Sequence, residues 1–137
     1  MEWVNTTFVD TAALIAVLNR NDQFHNLADL QWKKLLHSKQ NLMTTNYIMV
    51  ETISLIQNRL GLEAVRVFIE DVQPILNIMI WIDDTVHRAG MSAVLTGGKR
   101  HLSLVDCVSF EVMRQNGIKE VFTFDRHFKE EGFQCIP

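Results

Sequence analysis

The sequence predicts an α/β fold in which helices cover both faces of a parallel sheet. Short runs of β-branched, aromatic and aliphatic residues alternate along the chain with longer runs that have helical spacing. Turn signals separate these runs closely, and the chain has only two prolines and no low-complexity linker. Strands that alternate with helices form parallel sheets with right-handed crossovers. Binding sites in such folds lie beyond the carboxyl ends of the strands, so the residues that follow each strand are the candidates for function.

Each predicted element begins or ends at a residue with a known local preference. The helices have polar N-caps and end at glycine or proline. The caps are Asn21-Asp22, Asn46, Asp83 or Asp84, and Ser103, and the stops are Gly61, Pro74, Gly97-Gly98 and Gly117. The predicted strands cover 7–9, 41–45, 75–82, 121–124 and 133–136, and the predicted helices cover 12–18, 23–36, 46–60, 63–73, 84–95 and 104–115. The longest apolar block, 75–82, is expected to be a buried strand.

Length and composition bound the class of protein. The length of 137 residues predicts one domain, 1–137. The composition, with 47% hydrophobic and 21% charged residues, is typical of a folded protein. No apolar stretch reaches the roughly 18 residues of a membrane span, and the start lacks the basic residues of a signal peptide. We therefore expect a cytoplasmic protein with no membrane partner and with Cys107 and Cys135 as reduced thiols. The net charge of −3 restricts nucleic-acid binding to local basic patches.

Four acidic residues stand at positions that ordinary folding requirements explain poorly. Asp10 and Asp125 each directly follow a predicted strand, whereas Glu51 and Asp106 lie in predicted helices with apolar neighbours one turn away. Helix capping remains an alternative role for Asp10 and Asp125. For Glu51 and Asp106 the alternative is pairing with an arginine or capping a neighbouring loop. If all four converge, each pair about 5 Å apart costs roughly 3 kcal/mol at an effective dielectric of about 20. A divalent cation with oxygen ligands, Mg²⁺ or Mn²⁺, would offset this repulsion, which favours metal-assisted phosphodiester chemistry.

Four motifs in order resemble those of the PIN domain family. The motifs are Phe-Val-Asp-Thr-Ala-Ala-Leu at 8–14, Thr-Asn-Tyr-Ile-Met-Val-Glu-Thr at 45–52, Leu-Ser-Leu-Val-Asp-Cys-Val-Ser-Phe at 102–110 and Phe-Thr-Phe-Asp-Arg-His-Phe at 122–128. Their order and spacing cover nearly the whole chain, and the resemblance is closest to single-domain bacterial members, the group that includes VapC-type toxins. It implies a three-layer α/β/α sandwich with a parallel sheet of four or five strands.

The resemblance also implies a Mg²⁺- or Mn²⁺-dependent endoribonuclease that is the toxin of a toxin–antitoxin pair. The implied catalytic and metal-binding quartet is Asp10, Glu51, Asp106 and Asp125. The expected supporting residues are Thr11, Asn46, Ser103 and Thr123. The implied partners are an RNA substrate, an antitoxin protein and a second copy of the chain. Because they flank the helix of Asp106 or follow Asp125, the residues predicted to contact RNA phosphates are Lys99, Arg100 and Arg126.

Other functions stay open or are disfavoured by single residues. A housekeeping RNA-processing nuclease of the same family and a catalytically silent binding module both remain alternatives. A phosphatase or phosphoacceptor domain is disfavoured because Ala12 stands two residues after Asp10, where the phosphatase pattern has a second aspartate. The segment Gly97-Gly98-Lys99-Arg100 lacks the upstream glycine and the Ser/Thr of a phosphate-binding loop. The five histidines form no HxxxH or HxH pair, which disfavours a zinc site.

Overall fold

Five parallel strands form the sheet of the computed structural model, which describes residues 3–137. Neighbouring strands are parallel throughout, and their order across the sheet is β3-β2-β1-β4-β5. The strands are β1 (Thr6–Val9), β2 (Asn41–Thr45), β3 (Ile78–Ile80), β4 (Glu120–Phe122) and β5 (Gln134–Ile136). The predicted α/β class with a parallel sheet of four or five strands is confirmed.

Helices fill every connection between the strands. They are α1 (Thr11–Leu18), α2 (His25–His37), α3 (Asn46–Leu60), α4 (Leu62–Val67), α5 (Asp84–Gly97), α6 (Leu104–Gln115) and α7 (His127–Glu130). The chain moves from β1 outward to β3 and then returns across the sheet to β4. Right-handed crossovers therefore place α1 to α4 on one face and α5 to α7 on the other. Edge-to-face packing of Phe110 in α6 on Phe128 in α7, with 4.9 Å between ring centroids, agrees with this arrangement.

The core is centred on the three inner strands. Phe8 and Val9 of β1, Met43 of β2, and Val121 and Phe122 of β4 are all completely buried. Apolar side chains on both faces of a strand are typical of parallel sheets that carry helices on both sides. The inner strands are thus held rigidly, and the positions of the residues that follow them are fixed by the sheet.

The strand order creates a crevice between β1 and β4. These two strands are neighbours, with Phe8 opposite Val121 and Val9 opposite Phe122. The connections that leave them run in opposite directions across the sheet. At such a switch point the loops diverge, and a cleft opens beyond the carboxyl ends of both strands.

The segment predicted as a buried strand at 75–82 differs in the structure. Only Ile78–Ile80 form β3, which is half-buried at the edge of the sheet. The Asn77 side-chain oxygen accepts a hydrogen bond from the Leu42 backbone N–H at 2.8 Å, so a side chain takes the place of strand pairing there. Gln73–Ile75 form a 3₁₀ turn. The apolar run was therefore a poor guide to strand length and burial.

Helix boundaries differ at three other places. Thr45, not Asn46, caps α3, because its hydroxyl accepts a hydrogen bond from the Ile48 N–H at 3.1 Å. The helix predicted at 63–73 is α4 followed by a π-helical turn at Phe68–Val72. The helix predicted from 23 begins at His25, since the Asp22 side chain binds the Phe24 N–H in a local turn. The caps at Asp83 and Ser103 are confirmed. None of the helices in the described part of the chain is long and apolar enough to cross a membrane.

Candidate active site

The four predicted acids line one cleft. It has a volume of about 470 Å³ and lies beyond the carboxyl ends of β1 and β4. Asp10 follows β1, Asp125 lies three residues after the end of β4, and Glu51 and Asp106 enter from α3 and α6. The structure therefore brings together residues that are as much as 115 positions apart in the sequence.

Asp10 is fixed at the bottom of the cleft by its neighbour across the sheet. Asp10 is only 4% exposed, and its Oδ2 accepts a hydrogen bond from Thr123 Oγ1 at 2.8 Å. Thr123 Oγ1 in turn accepts a hydrogen bond from the Asp125 N–H at 2.9 Å. One threonine hydroxyl thus links the acids that follow β1 and β4 and holds them in register.

Asp106 is held by the start of its own helix. Its N–H donates to Ser103 Oγ at 3.1 Å, and its Oδ2 accepts from the Ser103 N–H at 3.2 Å. These reciprocal bonds form a capping box, which satisfies two free donors of the helix N-terminus. Asp106 therefore caps its own helix, neither a neighbouring loop nor an arginine partner of the described chain being involved, and the same residue also lines the cleft.

Asp125 lies beside a histidine that is not among the predicted metal ligands. Asp125 Oδ1 accepts a hydrogen bond from the His127 N–H at 2.9 Å, and His127 Nδ1 lies 3.0 Å from the same oxygen. Ligand atoms of Asp106, Asp125 and His127 all lie within 4.8 Å of one another. The sequence Asp-Arg-His at 125–127 could have indicated this contact, because a side chain two residues after an acid can turn back toward that acid.

Glu51 approaches the cleft from α3 and is half-buried. Glu51, Leu55 and Arg59 follow one another at four-residue spacing, and all three line the cleft. Arg59 is a second residue that sequence reasoning missed, although its spacing from Glu51 indicated the same face of the helix. Within residues 3–137, no lysine or arginine forms an ion pair with any of the four acids.

The cleft makes ionisation of its acids costly. Burial, with the negative charges of Asp106 and Asp125 adding to it, raises the pKa of Asp10 to about 7, although the Thr123 hydrogen bond acts in the opposite direction. Burial also raises the pKa of Asp106, and the hydrogen bond from the Ser103 backbone opposes the effect. Carboxylates that share a buried site without a cation show this behaviour.

The family model described as PIN domain matches residues 7–133. The chain belongs to the PIN domain family. A relative named 23S rRNA-specific endonuclease VapC20, from Mycobacterium tuberculosis, is 30% identical over 131 residues, which cover 92% of this chain and 94% of the relative. A VapC ribonuclease from Aquifex aeolicus is 23% identical over 128 residues and 93% of each chain.

Two solved structures share the fold of this chain. The crystal structure of M. tuberculosis VapC20, described as a sarcin-ricin loop cleaving toxin, has a TM-score of 0.82 and 29% identity. The alignment covers 96% of this chain and 99% of that one. The structure of FitAcB from Neisseria gonorrhoeae, with a TM-score of 0.69, 13% identity and 96% coverage of both chains, shares the fold.

Three of the four predicted supporting residues of this PIN domain lie at the cleft, and Asn46 lies elsewhere. Thr123 and Ser103 bind Asp10 and Asp106 as described above. Thr11 is buried, lines the cleft and accepts a hydrogen bond from the Thr52 hydroxyl at 3.1 Å. Asn46 does not line the cleft, because its side-chain oxygen binds the Ile82 N–H at 2.7 Å and secures the loop after β3.

The residues predicted to contact RNA lie outside the acid-lined cleft. Lys99 and Arg126 both approach the exposed Glu130, at 3.7 Å each, and Arg100 is exposed. The basic side chains that line the cleft are instead Arg59 and His101. Phosphate contacts by the predicted residues would therefore occur on the outer surface, beyond the acids.

Aromatic side chains form part of the cleft wall. Phe24 precedes α2 and Phe124 follows β4, and their rings stack with 4.7 Å between centroids and 3° between planes. Both rings line the cleft beside the acids. The cleft therefore has an apolar wall beside its acidic residues, and apolar surroundings disfavour the charged form of a carboxyl group.

The donor set of the cleft fits a divalent cation. Carboxylate oxygens are the ligands that Mg²⁺ and Mn²⁺ prefer, and three candidate ligand atoms already lie within 4.8 Å of one another. His127 Nδ1 is buried and has no hydrogen-bond partner within the described residues. A cation would neutralise the acids and satisfy this nitrogen.

Proposed function

We propose that this PIN domain is a Mg²⁺- or Mn²⁺-dependent endoribonuclease that hydrolyses RNA phosphodiesters as the toxin of a toxin–antitoxin pair. The observation that carries the proposal is the cleft in which Asp10, Glu51, Asp106 and Asp125 meet without a lysine or arginine ion-pair partner from residues 3–137. The names of the VapC relatives, which are an endonuclease and a ribonuclease, support this activity.

The chain supplies a rigid cage for the cation. Asp10, Glu51, Asp106 and Asp125 would hold it, and when bound it would attract the RNA phosphate and make an attacking water more acidic. The Thr123 hydroxyl and the Ser103 backbone fix two of these carboxylates. Such prior positioning lowers the reorganisation that the reaction requires, which is the main way a protein accelerates phosphoryl chemistry.

Positive groups near the acids would guide the RNA backbone. Arg59 and His101 line the cleft and would contact phosphates of an RNA strand that enters it. Lys99, Arg100 and Arg126 would bind phosphates further along the strand. With a net charge of −3, the chain depends on these few contacts, so RNA affinity should have a shallow dependence on salt concentration.

Cleavage of RNA by the purified protein tests the proposal. End-labelled 23S rRNA, chosen because of the relative's name, is incubated with Mn²⁺, Mg²⁺ or EDTA. Wild type should cut at discrete sites only with metal, and Asp10→Asn should reduce the rate at least about a hundred-fold. The exposed Asp71→Asn variant is the matched control and should cut normally. Cleavage that survives EDTA or Asp10→Asn would refute the assignment.

Growth of cells that express the chain tests the toxin role separately. Expression of wild type, but not of Asp10→Asn, should arrest growth, and co-expression of the protein encoded beside it should restore growth. A nuclease that leaves growth unaffected would be a housekeeping enzyme. The antitoxin and the homodimer would be expected to use exposed apolar surface, and Val50 and Trp81, at 65% and 76% exposure, line one such surface of the described chain.

A further inference from the structure

His127 is unusually buried for a titratable residue at the start of a short helix. It is the first residue of α7, and its side chain is only 18% exposed. Its backbone N–H donates a hydrogen bond to Asp125 Oδ1, which holds the His127 backbone in place. The ring nitrogen Nδ1 is buried and lies 3.0 Å from Asp125 Oδ1, yet its geometry makes no hydrogen bond to that oxygen or to any other described group.

A buried imidazole nitrogen without a partner requires an explanation. Burial removes its hydrogen bond to water, and a group left unpaired in this way costs free energy. Imidazole nitrogen is also the commonest metal ligand in proteins. A cation between Asp106, Asp125 and His127 would satisfy the nitrogen and offset the charge of both carboxylates.

The spacing of these three side chains suits a shared ion. Their ligand atoms lie within 4.8 Å of one another. Small divalent ions hold their ligands at about 2.0–2.2 Å, so ligands on opposite sides of one ion are at most about 4.4 Å apart. A small closing movement of the side chains is therefore sufficient.

We infer that His127 provides a nitrogen ligand to the cation of this cleft and thereby gives the site a preference for Mn²⁺ over Mg²⁺. The inference rests on the proposed metal-dependent function and adds to it a ligand outside the acidic quartet. Mg²⁺ favours an all-oxygen shell, whereas transition metals such as Mn²⁺ accept imidazole more readily. One histidine in an otherwise carboxylate site would shift the relative affinities without changing the charge of the ligand set.

Electron spin-echo spectroscopy of bound Mn²⁺ detects this nitrogen directly. The probe is Mn²⁺ alone, added without RNA to the full chain, and the spectrum reports ¹⁴N nuclei that are bonded to the ion. The variant is His127→Asn, which keeps a polar group near the Nδ1 position and removes the imidazole. The matched control is His101→Asn, because His101 is exposed and lines the cleft beside Asp106 and Asp125.

The expected result is a ¹⁴N signal in wild type and in His101→Asn that disappears in His127→Asn. The dissociation constant for Mn²⁺, measured by calorimetry, should rise at least about ten-fold in His127→Asn, and that for Mg²⁺ should change less. A signal that persists in His127→Asn, or equal losses of Mn²⁺ and Mg²⁺ affinity, would overturn the inference.

A second measurement covers the case in which His127→Asn fails to fold. The His101→Asn protein is labelled with ¹⁵N-histidine, and the ¹⁴N pattern should be replaced by the ¹⁵N pattern; an unchanged spectrum would refute a histidine ligand. These readouts are independent of the nuclease. A protein that shows the nitrogen signal but cleaves no RNA would support His127 as a ligand and contradict the proposed function. Metal-dependent cleavage without the nitrogen signal would support the proposed function and contradict the His127 ligand.

Discussion

Replacing Asp10 with asparagine should stabilise the metal-free protein at neutral and alkaline pH. Burial raises the pKa of Asp10 from its ordinary 3.8 to about 7. Between these two values the folded state holds a proton that the unfolded state has lost, so the free energy of unfolding falls as the pH rises. Below about pH 4 both states are protonated and the contribution vanishes, and above about pH 7 the full penalty is present.

The size of the effect follows from the two pKa values. They differ by about three, and one pKa unit corresponds to about 1.4 kcal/mol, so the penalty on wild type is on the order of 4 kcal/mol at about pH 8. At about pH 5.5 it is only about half as large. Asparagine carries no charge at either pH and can still accept the hydrogen bond from Thr123.

Urea unfolding in the presence of a chelator measures this prediction. Asp10→Asn should be more stable than wild type at about pH 8, and the difference should shrink by roughly 2 kcal/mol at about pH 5.5. The exposed Asp71→Asn variant is the control and should follow wild type at both pH values. A metal-free Asp10→Asn protein that unfolds more easily than wild type at about pH 8 would show that the ionised carboxylate stabilises the fold. The account of the cleft would then be wrong.

Three further predictions concern single contacts. Thr123→Val should lower the rate of RNA cleavage strongly, whereas Thr123→Ser should keep most of it, because the hydroxyl joins Asp10 and Asp125. Cleavage rates are measured at saturating Mn²⁺, and equal rates for the two variants would contradict this prediction. Arg59→Ala should weaken RNA binding several-fold in a filter-binding assay, whereas Arg66→Ala, which lies outside the cleft, should not. Gly90→Ala should destabilise the fold by about 1–3 kcal/mol, because a Cβ there would lie 2.6 Å from a valine methyl of α6, and Gly97→Ala, with a nearest contact at 3.6 Å, should be nearly neutral in the same thermal melts.

The positions of the acids could be predicted because local sequence and topology agree on them. Asp10 and Asp125 follow strands whose apolar character is clear, and parallel strands put their carboxyl ends at one edge of the sheet. The helical positions of Glu51 and Asp106 were recognisable from their apolar neighbours. The convergence of all four follows from the strand order β3-β2-β1-β4-β5, which the alternation of elements favours but does not fix.

The features that sequence reasoning missed depend on contacts between distant residues. Asn46 resembled a cap, but its side chain binds the Ile82 backbone, 36 residues away. At the start of β3, the Asn77 side chain accepts a hydrogen bond from the Leu42 N–H, a contact that no local pattern encodes. The approach of His127 to within 4.8 Å of Asp106, 21 residues earlier in the chain, is likewise a tertiary contact. Hydrophobic periodicity specifies which face is buried, and it does not specify where a polar side chain finds its partner.

Asp106 shows that capping a helix and forming a site are compatible roles. Its carboxylate accepts one hydrogen bond from the Ser103 N–H, and an ionised carboxylate has about four lone-pair positions, so room remains for a cation. The N-terminal end of α6 carries a partial positive charge that favours the ionised form, whereas burial raises the pKa. The capping box therefore fixes the position of the acid and offsets part of the cost of its charge. Thr123 acts similarly on Asp10, because its hydrogen bond opposes the rise in pKa that burial produces. The fold holds its acids in place with neutral donors, and no lysine or arginine of the described chain neutralises them by an ion pair, so their charge is left for a cation to offset.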